Sequence, residues 1–156
     1  RRILTAGNVI GNHSYHHDRS LCLRWGKAIA RDIELARQAI YECTGSEPKL
    51  FRPPHGFRTP WLMRTVRRLG YTVVTWDNIT SDWKADKPSD EIVRTIVQRV
   101  KPGSVIVLHD GRDTRPSYDR SQMLQALPSV IGTLKERGFD FVTIPELLEL
   151  DGEYSV

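Results

Sequence analysis

Ser104-Val105-Ile106-Val107-Leu108-His109-Asp110 is the stretch whose reading decides the fold. Four apolar residues in a row, three of them β-branched, read as a short strand buried on both faces. Such strands belong to parallel sheets covered by helices. Helical patterns flank this one on both sides. Upstream, Pro88-Ser89-Asp90-Glu91 opens a helix carrying Ile92, Ile96 and Val100 at four-residue spacing. Downstream, a polar loop over 111–120 leads to a helix over 122–137, closed by Gly138. Pro128 falls inside that helix and predicts a kink or a late start.

The same alternation runs through the rest of the chain. Val9-Ile10 reads as the end of a strand entering Gly11-Asn12-His13, and a helix over 25–41 follows with Ile29, Ile33, Ala36 and Ile40 on one face. Gly45 is its stop. Leu50-Phe51-Arg52 enters a Pro-Pro-His-Gly turn, and Thr59-Pro60 opens a helix bearing Leu62, Val66 and Leu69, ended by Gly70. Residues 71–76 read as a strand followed by a polar loop, residues 139–144 as a last strand, and residues 145–150 as a short final helix.

Five strand–helix units predict an α/β fold with a parallel sheet. His13, Arg52, Trp76 or Asp82, and His109 all fall at or just past the C-terminal end of a strand. That is the end at which (β/α) barrels carry their active sites. A full barrel takes about 200–250 residues, so 156 residues predict an incomplete one. No repeat or linker interrupts the chain, and a single domain over 1–156 is expected. The start, Arg1-Arg2-Ile3-Leu4 without Met, reads as a segment cut from something longer.

Composition narrows the function classes. A 39% apolar, 27% charged chain has the makeup of a soluble domain. No apolar run is long enough to span a bilayer. The net charge of +4 is spread over scattered arginines rather than a basic run with interleaved aromatics, which argues against nucleic acid. Cys22 and Cys43 lie at opposite ends of one helical pattern, about 30 Å apart, too far to pair with each other.

The reactive residues form separate groups. His13 and His17, four apart, reach a common metal ion if the segment makes one helical turn, or they are a surface pair with one structural histidine. His16 points elsewhere on that turn, exposed or behind the ligands. His109 is either structural or a general acid, since imidazole titrates near neutral pH. Arg52-Pro53-Pro54-His55-Gly56 makes a rigid turn that can hold a backbone N–H toward an oxyanion, and Arg52 can orient a carboxylate. Asp82, beside Trp83, can hold the His109 imidazole or be an ordinary loop aspartate.

Together these segments resemble one family. Gly11-Asn12-His13-Ser14-Tyr15-His16-His17 resembles the H-[ST]-x-x-H metal motif of polysaccharide deacetylases (the NodB-homology domain, carbohydrate esterase family 4). Phe51-Arg52-Pro53-Pro54-His55-Gly56 resembles that family's R-P-P-Y-G turn, Asp82-Trp83 its D-W motif, and Val107-Leu108-His109-Asp110 its L-x-H-D motif. All four occur in the family's order.

The resemblance implies a distorted (β/α) barrel with a divalent ion, zinc first and cobalt or nickel as alternatives. It implies His13 and His17 as metal ligands, His109 as general acid, Asp82 as its tuning partner and Arg52 as support for the catalytic base. The His55 backbone N–H would stabilise the oxyanion, and Trp76, Trp83 and Val107 would wall the acetyl pocket. The implied partner is an N-acetylated polysaccharide or oligosaccharide, peptidoglycan or chitin-like, outside the cell or in its envelope. An O-acetyl esterase of the xylan type and a non-catalytic carbohydrate-binding remnant are the rival readings.

Three departures stand out. The family's first motif, Thr-Phe-Asp-Asp, which supplies the base and the third metal ligand, occurs nowhere in the sequence. Its absence predicts that these residues alone bind zinc weakly and hydrolyse little. Asp32, Asp77, Asp86 and Asp90 are the spare acids, none expected to face the histidines. His55 stands where the family has tyrosine, and Val107 where it has leucine.

Overall fold

The structure, a computed structural model, describes residues 2–84, 86–111 and 119–150, the last without its side chain. The loop expected over 111–120 therefore lies mostly outside the described residues. The chain divides into two compact units, Arg1–Thr75 and Trp76–Val156.

In the first unit a helical turn, α1 (Arg2–Thr5), precedes the metal-motif segment, and the long helix α2 (Gly26–Thr44) follows it. Gly45 ends α2 as expected: at φ 75° it takes the left-handed conformation, and its N–H reaches the Tyr41 carbonyl at 2.7 Å. β1 (Leu50–Phe51) pairs in parallel with β2 (Thr72–Val73), Leu50 opposite Thr72. Between them α3 (Pro60–Arg68) starts where Thr59-Pro60 predicts, with the Thr59 hydroxyl accepting from the Leu62 N–H. On the other side of β1 the expected first strand shrinks to one parallel bridge, Asn12 to Phe51. Ile29, Ile33, Phe51, Leu62, Val66 and Tyr71 meet in this unit's core, together with Leu21 and Cys22. Each fully buried aliphatic side chain there contributes about 1.5–3 kcal/mol.

In the second unit β3 (Asn78–Ile79) pairs in parallel with β4 (Ile106–Val107). Asn78–Ile79 was expected to be polar loop. Asn78 is fully buried there, its amide donating to the Ile96 carbonyl at 3.3 Å while its Oδ1 has no hydrogen-bond partner among the described residues. α4 (Ser89–Arg99) and α5 (Ser121–Glu136) pack through Ile92, Ile96, Met123, Ala126, Val130 and Leu134. α5 starts upstream of Pro128 and runs through it, so the late start does not occur. Pro128 deprives the Leu124 carbonyl of its partner, but both residues are exposed, where water can replace it.

Residues 139–144 form no strand, against expectation. Phe141 and Val142 are 49% and 45% exposed, with no neighbouring strand paired to them among the described residues, and α6 (Ile144–Leu150) begins within the segment. Cys22 and Cys43 are both free thiols. Among the described residues no helix is long and apolar enough to cross a membrane.

Candidate active-site residues

In the first unit, His13 directly follows the Asn12 bridge to Phe51, and Arg52 directly follows β1. The main chains are locked in register: Asn12 N–H donates to Leu50 O at 2.8 Å and Arg52 N–H to Asn12 O at 2.9 Å. The same register brings the His13 ring to Arg52. His13 Nδ1 lies 2.6 Å from the Arg52 carbonyl oxygen. A carbonyl only accepts, so Nδ1 carries the proton and Nε2 carries the lone pair.

His13 Nε2 and His17 Nε2 stand 3.2 Å apart. Two nitrogens each about 2.0–2.1 Å from a tetrahedral zinc lie about 3.3 Å from one another. The pair thus fits two corners of such a site, and neutral imidazoles are the form a metal requires. Burial lowers the His13 pKa; the bond to the Arg52 carbonyl opposes this, and the neighbouring His17, Arg52 and His55 side chains lower it further.

The pair does not come from a helical turn. Ser14 and His17 both have left-handed backbones, φ 68° and 51°. For non-glycine residues these are uncommon and are held by their surroundings. Three side chains, those of Asn12, Ser14 and Asp32, hold them. The Asn12 side chain, 1% exposed, donates to Ile33 O at 2.9 Å and to the Tyr71 hydroxyl at 3.1 Å, and accepts from the Ser14 N–H at 3.0 Å. The Ser14 hydroxyl accepts from the His17 N–H at 3.0 Å. Asp32 on α2 accepts from the Tyr15 N–H at 2.9 Å and bonds His16 Nδ1 at 2.6 Å.

Asp32 is therefore no spare acid: it braces the motif through His16, while facing neither His13 nor His17 in any hydrogen bond the structure shows. Sequence reasoning also missed Asn12. The signal was its place immediately before His13 at a strand end.

Pro53 and Pro54, both buried, fix the turn after Arg52. His55 sits in it at φ 54°, with Gly56 N–H donating to Pro53 O at 3.0 Å and Phe57 N–H to Pro54 O at 3.1 Å. The rings run in sequence: His13 to His17 at 4.9 Å between centroids, His17 to His55 at 4.6 Å, and His55 to Phe57 at 5.8 Å. Partial burial lowers the Arg52 pKa from its ordinary value, yet a guanidinium stays charged.

The second unit carries a separate constellation. Asp82 is 3% exposed and follows β3; His109 follows β4. Asp82 accepts from the His109 N–H at 2.6 Å, and its two oxygens lie 3.1 and 3.2 Å from His109 Nδ1. Asp82 thus occupies His109 Nδ1 and leaves Nε2 available. Burial pushes the Asp82 pKa up, but hydrogen bonds from His109 and Thr80 outweigh it and leave it below the usual carboxylate value.

Trp83 meets the His109 ring edge-on at 5.2 Å, and Val107, on β4, is buried. Trp76 is half-buried at the start of this unit. Arg120, unforeseen from sequence, ties two loops together, donating to Asp82 O at 3.2 Å and Gly111 O at 2.8 Å. Among the described residues no three metal-ligand side chains converge.

Comparison with known proteins places the chain in a family. The family model described as polysaccharide deacetylase matches residues 1–74. A peptidoglycan-N-acetylglucosamine deacetylase of Bacillus cereus is 35% identical over 150 residues, covering 95% of this chain and 67% of the relative. A chitooligosaccharide deacetylase of Azorhizobium caulinodans is 31% identical, covering 89% and 69%. A family 4 acetyl xylan esterase from Clostridium thermocellum, solved with a cobalt ion, superposes with a TM-score of 0.84 at 30% identity, covering 97% and 69%. The fold is that of carbohydrate esterase family 4, a partial α/β barrel. The chain belongs to the polysaccharide deacetylase family, and it spans about two thirds of the length of these relatives.

Proposed function

We propose that residues 1–156 are part of one catalytic domain that removes N-acetyl groups from an amino-sugar polysaccharide, peptidoglycan or a chitin-like polymer. The observation that carries this reading is the His13/His17 pair: two Nε2 atoms 3.2 Å apart, with His13 Nδ1 already committed to the Arg52 carbonyl. The relative from Bacillus cereus aligns across both units, which supports treating them as one domain.

His13 and His17 hold the divalent ion, zinc first, with cobalt or nickel as alternatives. Bound there, it supplies a Lewis acid for the acetyl carbonyl and for a water. In the reaction a C–O bond forms from water to the acetyl carbon, the C–N bond breaks, and acetate leaves. The sugar nitrogen takes a proton from His109 Nε2, an atom kept available because Asp82 occupies Nδ1. The His55 backbone N–H donates to the developing oxyanion, its position set by Pro53-Pro54. Trp76, Trp83 and Val107 line the acetyl pocket. Arg52 steadies the carboxylate that acts as base, which the Thr-Phe-Asp-Asp motif of the family would provide and residues 1–156 do not.

The test is to follow acetate and free amine together when the natural protein meets N-acetylated chitooligosaccharide, peptidoglycan and acetyl xylan in the presence of zinc. Amine appearing in step with acetate, and lost in His109→Ala and His13→Ala, supports the reading. Acetate from acetyl xylan alone favours the esterase reading that the Clostridium relative suggests. Polymer binding with no acetate from any substrate favours a non-catalytic module.

A further inference from the structure

We propose that Trp25 and Trp61 form an aromatic platform that holds sugar units of the polymer beyond the one whose acetyl group reacts, an inference that rests on the polysaccharide reading of the substrate. Two short segments of the first unit each leave two large apolar side chains in water. Leu23 and Trp25 are 71% and 87% exposed, and Phe57 and Trp61 are 48% and 47% exposed. Single exposed apolar residues are ordinary, whereas a joined patch of them marks a binding surface.

The two segments are joined. Cys22 O accepts from the Thr59 hydroxyl at 2.8 Å and from the Trp61 indole N–H at 2.7 Å. Further along, a β-carbon on Gly26 would come within 3.2 Å of Thr65 Oγ1, and that hydroxyl donates to Trp61 O at 2.8 Å. Trp25, between Cys22 and Gly26, therefore runs beside the first turn of α3, where Trp61 stands.

The patch is continuous with the candidate site, which is what points to the polymer as its occupant. One segment leaves the His13–His17 motif toward α2, and the other leaves the His55 turn toward α3. The ring series from His17 to His55 and on to Phe57, 4.6 and 5.8 Å between centroids, leads from the histidine pair into the second segment.

The chemistry suits a sugar. The polar atom of the Trp61 ring is satisfied by Cys22 O, so the ring is held in place and shows carbon to solvent. The Trp25 side chain makes no hydrogen bond among the described residues. An indole is a rigid, flat, apolar face with only two torsions to immobilise, and the C–H face of a pyranose ring is a flat apolar surface that stacks on it.

Binding of hexaacetyl-chitohexaose and diacetyl-chitobiose to the natural protein by calorimetry, beside acetate release from each, tests this. Trp25→Ala should weaken hexaose binding and raise its KM by about tenfold, the loss of one aromatic contact, with kcat and the biose unaffected. Trp25→Tyr, still flat, should recover most of the loss; Trp25→Leu, apolar but not flat, should not. Equal losses on both sugars, full recovery by leucine, or a wild type that does not bind the hexaose overturns the proposal. So does a dimer in sedimentation that Trp25→Ala disperses, which would assign the patch to a second copy. Unchanged hexaose binding in Trp25→Ala, with acetate release intact, sinks the platform and leaves the deacetylase reading standing. Hexaose binding that depends on Trp25, with no acetate from any substrate, keeps the platform and sinks the deacetylase reading.

Discussion

The His13 ring nitrogen Nδ1 stands 2.6 Å from the main-chain carbonyl oxygen of Arg52, across the one parallel bridge that joins the metal-motif segment to β1. A backbone atom of one motif thus sets the tautomer of a side chain in another. The consequence is a lone pair on Nε2 before any ion arrives, which lowers the reorganisation needed for binding.

Asn12 should matter more than its size suggests. Its amide serves Ile33 O, Tyr71 Oη and Ser14 N–H from a buried position. Asn12→Ala leaves these groups unsatisfied, at about 1–3 kcal/mol for each one that water cannot reach. Urea denaturation should show a loss of that order, and zinc affinity should fall with it because Ser14 loses its anchor.

Asp82 gives a pH dependence with a definite sign. Its folded pKa lies below the unfolded carboxylate value of about 3.9. The stability it contributes is therefore fully present above that value and is lost as pH falls through the lower, folded pKa. Denaturation curves taken from pH 6 downward should steepen in this acid window for the wild type. Asp82→Asn, which no longer titrates there, should be less stable at neutral pH and flatter across the window.

Arg120 should behave as a clamp. Arg120→Ala frees the carbonyls of Asp82 and Gly111, and a loss of about 1–3 kcal/mol in thermal or urea unfolding is expected. Arg120→Lys, with one compact donor head in place of a fork, should recover part of it.

The helices were legible because periodicity and caps act locally. Thr59-Pro60, Gly45 and the Ile29–Ile33 stripe each carried their own physical signal, and the element borders followed. Four-residue spacing paired His13 with His17, and places past predicted strands drew attention to Asp82 and His109. The conformation of 13–17 was not legible, since left-handed backbone at Ser14 and His17 is enforced by Asn12 and Asp32 from outside the local pattern. The strand at Asn78–Ile79 was hidden for the same reason: a buried asparagine reads as loop until the Ile96 carbonyl to which its amide donates is known. Residues 139–144 erred the other way, because an apolar run makes a strand only where a neighbour pairs with it.

Residues 1–156 expressed alone should hydrolyse N-acetylated chitooligosaccharide little or not at all, even with zinc. They hold no Thr-Phe-Asp-Asp, the motif that in the family supplies the base. Acetate release measured over hours checks this, with full activity from these residues as the contrary result.

The most direct test of the central claim is a long-range proton–nitrogen NMR spectrum of the imidazoles, recorded with and without zinc. His13 should appear with Nδ1 protonated and Nε2 bare in the free protein, and zinc should shift the Nε2 signals of both His13 and His17. A His13 ring protonated at Nε2, or zinc that leaves both rings unmoved, would contradict the account.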